Sequence, residues 1–199
     1  MRATLLATLV AAAFAVPVAL AQPQMSGAVA TAPGQAKAVA VVTATATVES
    51  VDPATRTVVL KLKDGKMRTV NAGAEVRNFD QIKVGDTVHA KYVESLTVDL
   101  KKDGKAILGQ TQRSSVERSQ PGAKPGGVAI HELTAVAEVV KVDPAKKLVS
   151  VKNDKGEVFD LAVHDPEQLK LVKKGDQVQA TYTESVAIGL EPAPAPKKK

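Results

Sequence analysis

Cysteine is absent from all 199 residues. That absence excludes a disulfide framework, a thiolate metal site, a cysteine nucleophile and a lipidated cysteine anchor together. The fold must rest on apolar burial alone. Tryptophan is absent too, and there are only two tyrosines and three phenylalanines. Single-stranded nucleic acid usually stacks its bases on exposed aromatic rings, and this chain has little to build such a platform from. Charge agrees: 27 basic against 21 acidic residues give a formal +6, and three of the basic residues are the terminal Lys197, Lys198 and Lys199. The excess elsewhere is slight, so no nucleic-acid partner is expected. Past the first two dozen residues no stretch approaches the roughly 20 consecutive apolar residues of a transmembrane helix. Glycine-rich phosphate loops and Walker strings are missing as well.

What is present begins with an export signal. MRATLLATLVAAAFAVPVALA combines Arg2, an apolar run from Leu5 to Ala15, a breaker at Pro17 and small residues at Ala19 and Ala21. It reads as a signal peptide over residues 1–21, cut after Ala21. The expected location is the periplasm, with secretion as the alternative.

The rest of the chain says one thing twice. VDPATRTVVLKLKDGK at Val51 returns as VDPAKKLVSVKNDKGE at Val142, and GDTVHAKYVESLTVDL, ending at Leu100, returns as GDQVQATYTESVAIGL, ending at Leu190. The offset is 91 residues in the first part and 90 in the second, so one residue is lost in a loop, where length is least constrained. Residues 22–39, poor in anything that packs, read as a flexible leader. Residues 40–118 form the first repeat and 129–190 the second. The Pro- and Gly-rich 119–128 reads as their linker, and 191–199 as a Pro/Lys tail.

Inside each repeat the period is two, the period of a strand. Val58 and Leu60 match Val149 and Val151, whereas Val59 becomes Ser150. Val88, Ala90 and Tyr92 match Val178, Ala180 and Tyr182, while His89, Lys91 and Val93 become Gln179, Thr181 and Thr183. The conserved parity faces a core and the other faces water. Asp64-Gly65 and Lys155-Gly156 mark tight hairpins, since glycine supplies the positive φ they need. Asp165 before Pro166 reads as an N-cap with proline at the first helical position, so a short helix ending before Gly175 is expected. These elements give an all-β class: two tandem small OB-like barrels, each of about five strands with a helical turn between strands three and four. The first repeat alone continues as KKDGKAILGQ, which predicts an extra hairpin from Asp99 to Gln110 with Ile107 and Leu108 on its return strand.

The Val-Asp turn, the hairpin and the Lys-x-Gly-Asp turn resemble the small periplasmic OB-type barrels, among them the copper and silver chaperones of metal efflux systems. NFDQIKVGD from Asn78, YVES from Tyr92 and the PGAKPGG linker resemble still more closely a group of tandem-repeat proteins exported by proteobacteria. The resemblance covers about residues 40–190 and implies the architecture; a barrel of this kind hosts many unrelated functions. The chaperones hold soft ions with methionine, histidine and an aromatic ring. Here Met67 has Val158 as its repeat partner and His89 has Gln179, so no metal residue of that family carries over.

Met67 and His89 are nonetheless the two side chains able to offer sulfur and imidazole to monovalent copper or silver. Against that stand the plain roles of a core filler and a solvated strand residue. His131-Glu132 opens an HExxH string, but Ala135 stands where the second histidine is needed. Ser95 and Ser185 follow Glu94 and Glu184 in both repeats without a repeated histidine to act as base, and the two glutamates sit in different repeats. The sequence therefore predicts no catalytic activity and no cofactor. It predicts a binding or envelope-interaction module, its partner an envelope protein or small ligand, with metal handling through Met67 and His89 as the alternative.

Overall fold

The computed structural model describes residues 24–102 and 104–193. The expected signal peptide and the Lys197–Lys199 cluster lie outside the described residues. Ten strands, one helix and one 3₁₀ turn follow in order: β1 (Gln24–Ala32), β2 (Gln35–Asp52), β3 (Thr57–Leu62), β4 (Met67–Asn71), the turn Phe79–Gln81, β5 (Thr87–Lys101), β6 (Gly109–Arg118), β7 (Gly126–Asp143), β8 (Leu148–Lys152), β9 (Val158–Ala162), α1 (Pro166–Leu171) and β10 (Gln177–Glu191). The protein is all-β, and the helical elements follow the third strand of the runs β2–β5 and β7–β10, as expected, but a single 15-residue strand comes after each where two strands were expected.

The relation between the repeats differs from two separate barrels. All pairs are antiparallel and belong to one continuous sheet, ordered β4-β3-β2-β5-β10-β7-β8-β9, with β1 added to β2 and β6 to β7. Among the described residues no ladder closes β4 onto β5 or β9 onto β10. The reason lies in the length of the last strand of each repeat. β5 and β10 each run 15 residues and pair with one another along their whole length, from Thr87↔Glu191 to Lys101↔Gln177. Each uses the edge on which its own repeat would otherwise have closed. Glu94 pairs with Glu184, its own repeat counterpart, so a local two-fold axis passes between them.

Two further expectations change. The stretch expected to be a leader contributes β1, a nine-residue edge strand turned back onto β2 through Gly34 at φ 72°. Its side chains are exposed, so no apolar alternation announced it. The extra hairpin after Leu100 does not form: the chain turns at Gly104 (φ 59°), leaves Ile107 92% exposed, and enters β6, which pairs with β7 of the second repeat. β6 is thus the second repeat's counterpart of β1. The linker narrows to the β6–β7 turn.

Each end of the sheet carries a core on the same face. Ala46, Val48, Val58, Leu60, Leu62, Phe79 and Ile82 form one, with Val88 of β5 and Leu190 of β10 packed against them. Val139, Val149, Val151 and Leu169 form the other, with Ala137 and Val178 beside them. A bulge bends the long first strand of each repeat at the same place, between Val48 and Ser50 and between Val139 and Lys141. The Lys-x-Gly-Asp turn fits into that bulge. Val48 N–H donates to Asp86 O and accepts Gly85 N–H on its own carbonyl, both at 2.8 Å, and Val139 does the same with Asp176 (2.8 Å) and Gly175 (2.9 Å). The aspartates fold inward, Asp86 to 1% exposure and Asp176 to 6%.

The repeats hold one another by exchanged contacts. Asn78, beside the 3₁₀ turn, donates to Gln120 O at 2.7 Å and accepts from Gly122 N, so it fixes the β6–β7 turn. Its counterpart Gln168 on α1 donates to Ala32 O at 2.7 Å and accepts from Gly34 N at 2.9 Å, so it fixes the β1–β2 turn. Lys124 of the connecting turn donates to Gln81 O and to buried Asp86. Lys102, just past β5, does the same for Leu171 O and Asp176. The buried aspartate of each repeat is thus neutralised by a lysine from outside the repeated motif.

Candidate functional site

Register assigns the faces of the central sheet. Across β1, β2, β5, β10, β7 and β6, one row reads Gly27, Ala40, Glu94, Glu184, His131, Ser114. The rows beside it read Val29, Ala38, Leu96, Tyr182, Leu133, Gln112 and Met25, Val42, Tyr92, Val186, Ala129, Val116. This is the face that carries both cores. The opposite face of the same strands is mixed, with Lys37, Thr43, Lys91, Thr97, Asp99, Thr181 and Thr183 set among Val39, Val41, Val93 and Ile130. Between the cores, however, no described element covers the apolar side. Met25, Val29, Val116, Val186 and Ile188, five of the large apolar residues that remain exposed, all belong to it, with Val29 at 78%.

At its centre stands a polar quartet. The YxES motif occurs once per repeat, and antiparallel pairing about the two-fold brings both copies together. Tyr92 Oη lies 2.7 Å from Glu94 Oε1 and 2.9 Å from Glu184 Oε1, so its one proton is divided between two carboxylates. Tyr182 Oη donates to Glu94 Oε1 at 2.8 Å. Glu94 is only 8% exposed. No lysine, arginine or histidine pairs with either glutamate among the described residues, and neither Oε2 atom accepts a hydrogen bond there. Burial first, then the hydrogen bonds and charges of the glutamates, oppose ionisation of the phenols: Tyr182 is pushed up to about 12 and Tyr92 further in the same direction. Both tyrosines therefore act as proton donors throughout the ordinary pH range.

The residues singled out in the sequence are dispersed. Met67 lies on β4, exposed, opposite Lys61, and His89 lies on β5, opposite Thr45, with β3 and β2 between them. Three strand spacings separate their backbones by about 14 Å, beyond the reach of one shared ion. His89 Nε2 instead approaches Glu191 at 3.3 Å. Among the described residues no group of three or more His, Asp or Glu could hold a metal. Ser95 and Ser185 point to the opposite face, away from the quartet. His131 and Glu132 sit on β7, a strand, where an HExxH helix cannot form. Phe79 is buried, but Phe159 opposite Val151 stays 38% exposed because β9 ends the sheet.

Two features escaped the sequence reading. Glu94 shares its parity with Val88, Ala90 and Tyr92, so the alternation itself placed it inward; its charge argued the other way. Ser114 Oγ meets His131 Nδ1 at 2.9 Å, and His131 is the cross-strand partner of Glu184. The row resembles a Ser-His-Glu relay only on paper. Glu184 makes no ion pair with the imidazole, and Ser114 and His131 are exposed on flat strands with no pair of backbone donors aimed at a developing oxyanion. No helix among the described residues is long and apolar enough to cross a membrane. Comparison with protein-family models, with curated proteins and with solved structures finds no match.

Proposed function

We propose that this protein is an exported, non-catalytic binding module of the bacterial envelope, akin to tandem-repeat proteins of proteobacteria, and that its binding surface is the central face of the shared sheet. One observation carries the reading. A face six strands wide, mainly apolar along its four central strands on either side of the glutamate row, lies uncovered between two cores that bury the same face. Contiguous exposed apolar surface of this kind, with a few polar groups gathered at its middle, is the usual signature of an interaction site. The tandem repeat supplies it: neither copy alone owns both halves of the face. Metal handling through Met67 and His89 gains no support from their positions.

The neutral apolar dye Nile red tests the assignment. Folded protein is expected to enhance its fluorescence, and Val186→Ser/Ile188→Ser to remove most of that enhancement. Val158→Ser, at a still more exposed apolar site on β9, should leave it unchanged. Equal responses from all three proteins would sink the reading.

A further inference from the structure

We propose, resting on that reading of the central face, that its occupant is an apolar segment of another protein carrying a single arginine or lysine, whose cation sits between Glu94 and Glu184. The chemistry is one of unmet demand. Two carboxylates lie within hydrogen-bonding distance of one tyrosine hydroxyl, Glu94 is 92% shielded by its neighbours, and no cationic side chain pairs with either among the described residues. The other buried acids among the described residues are neutralised, Asp86 by Lys124 and Asp176 by Lys102. Among those residues, Glu94 alone is buried without a counter-charge. The Oε1 atoms are taken by the tyrosines, and the two Oε2 atoms remain open to an incoming donor. A guanidinium, with its fork of N–H groups, matches two neighbouring carboxylates.

The neighbours define the rest of the partner. Leu96, Val98, Ala180 and Leu133 lie to one side of the glutamate row, and Val42, Ala90, Val186 and Ile188 to the other. A segment with apolar residues on both sides of its cation covers these rows. A small amine fits less well, since it would leave the apolar rows on both sides of the glutamates uncovered. One cavity, lined by Pro53, Arg56 and Phe79, lies away from this face. A second copy of this chain fits worse. Face-to-face packing about a two-fold would gather four carboxylates in a drying interface, a large desolvation cost without a counter-charge.

Selection of a random peptide display library on the purified protein tests this. Wild-type protein is expected to enrich peptides with one Arg or Lys flanked by apolar residues. Synthetic versions of the winners should bind Glu94→Gln/Glu184→Gln at least about tenfold more weakly, and the same loss should follow when Arg becomes citrulline. The glutamine variant keeps acceptors for both tyrosines, and an unchanged melting curve separates lost binding from lost fold. Enriched peptides that lack a cation but need Val186 and Ile188 would keep the face and overturn the cation. Cationic winners indifferent to the two glutamates would overturn it equally. Enrichment that ignores Val186→Ser/Ile188→Ser, or no enrichment at all, would overturn both this inference and the reading beneath it.

Discussion

Replacing Lys124 by methionine should be among the most costly single changes available outside the two cores. Methionine keeps the length and apolar stem of the side chain and removes only the ammonium. Lys124 Nζ sits 2.5 Å from Asp86 Oδ2 and 2.8 Å from Gln81 O, while Asp86 also accepts Lys83 N at 2.8 Å and Ala193 N at 3.3 Å. Removing one member of a buried ion pair costs about 3–5 kcal/mol when the survivor is left uncompensated. The two amide donors retain part of the compensation, so about 2–3 kcal/mol is expected here. For a chain of this size that is a fall of about 5–10 °C in Tm. Lys102→Met is the control: Lys102 is half exposed, water screens its bond to Asp176, and the loss should stay within about 1 kcal/mol.

The pH dependence supplies the sign. Burial works against the Asp86 charge, but the hydrogen bond and charge of Lys124, with the Lys83 amide, outweigh it and hold the carboxyl below the usual range. A depressed carboxylate stabilises the fold above its unfolded pKa of about 4, and that contribution is lost as the pH falls through the folded value. Urea titrations of wild type and Lys124→Met should therefore differ at pH 7 and converge in acid. A Lys124→Met loss no larger than that of Lys102→Met, or a gap that persists in strong acid, would refute the reasoning.

Three other outcomes are expected. With no tryptophan and only Tyr92 and Tyr182 as phenols, ultraviolet absorbance of tyrosinate should stay low in the native protein between pH 10 and 12, and rise earlier in Glu94→Gln. Because raised phenols stabilise the fold below about pH 10, stability measured by denaturant should fall as the pH climbs through that interval. Arg56 and Lys147 are repeat counterparts at φ 52° and 53°. Lys147→Gly should stabilise the protein by about 0.5–1 kcal/mol by relieving the left-handed backbone. Arg56→Gly should destabilise it, because Arg56 stacks 4.7 Å over Phe79 and donates to Ala72 O, Gly73 O and Val76 O. Val48→Ala and Val139→Ala should each cost about 2 kcal/mol, and each should move a single calorimetric transition rather than split it. Two separate transitions would mean that the shared sheet does not couple the cores.

How much of this was legible in the sequence follows from which interactions are local. Gly65 and Gly156 both turn at φ 82°, and Asp165 Oδ1 accepts Glu167 N at 2.9 Å ahead of a helix that begins at Pro166, as turn and cap chemistry predict. The inward parity of Val58, Leu60, Val149 and Val151 was equally plain, since burial leaves its period in the residues themselves. Partner choice was not. Whether β5 closes its own repeat or pairs with β10 depends on backbone groups that every residue has, so no side-chain pattern records it. The same gap hid the quartet. Glu94 and Glu184 are ninety residues apart and meet only because the last strands pair about a two-fold. β1 went unread for the opposite reason: an edge strand that buries no side chain carries no pattern to read.

The long central strands also act as rulers. Val88 of β5 packs in one core while Leu100, twelve residues on along the same face, lies against the β1–β2 turn at the other end. Inserting or deleting one residue between them would turn every later side chain of the strand to the opposite face. One core and its partner turn would then lose their contributions from β5, however well the other end was kept. The single length difference between the repeats falls between β4 and the 3₁₀ turn, off these strands. Loops of this protein are free to drift in length, while β5 and β10 must keep their lengths in step.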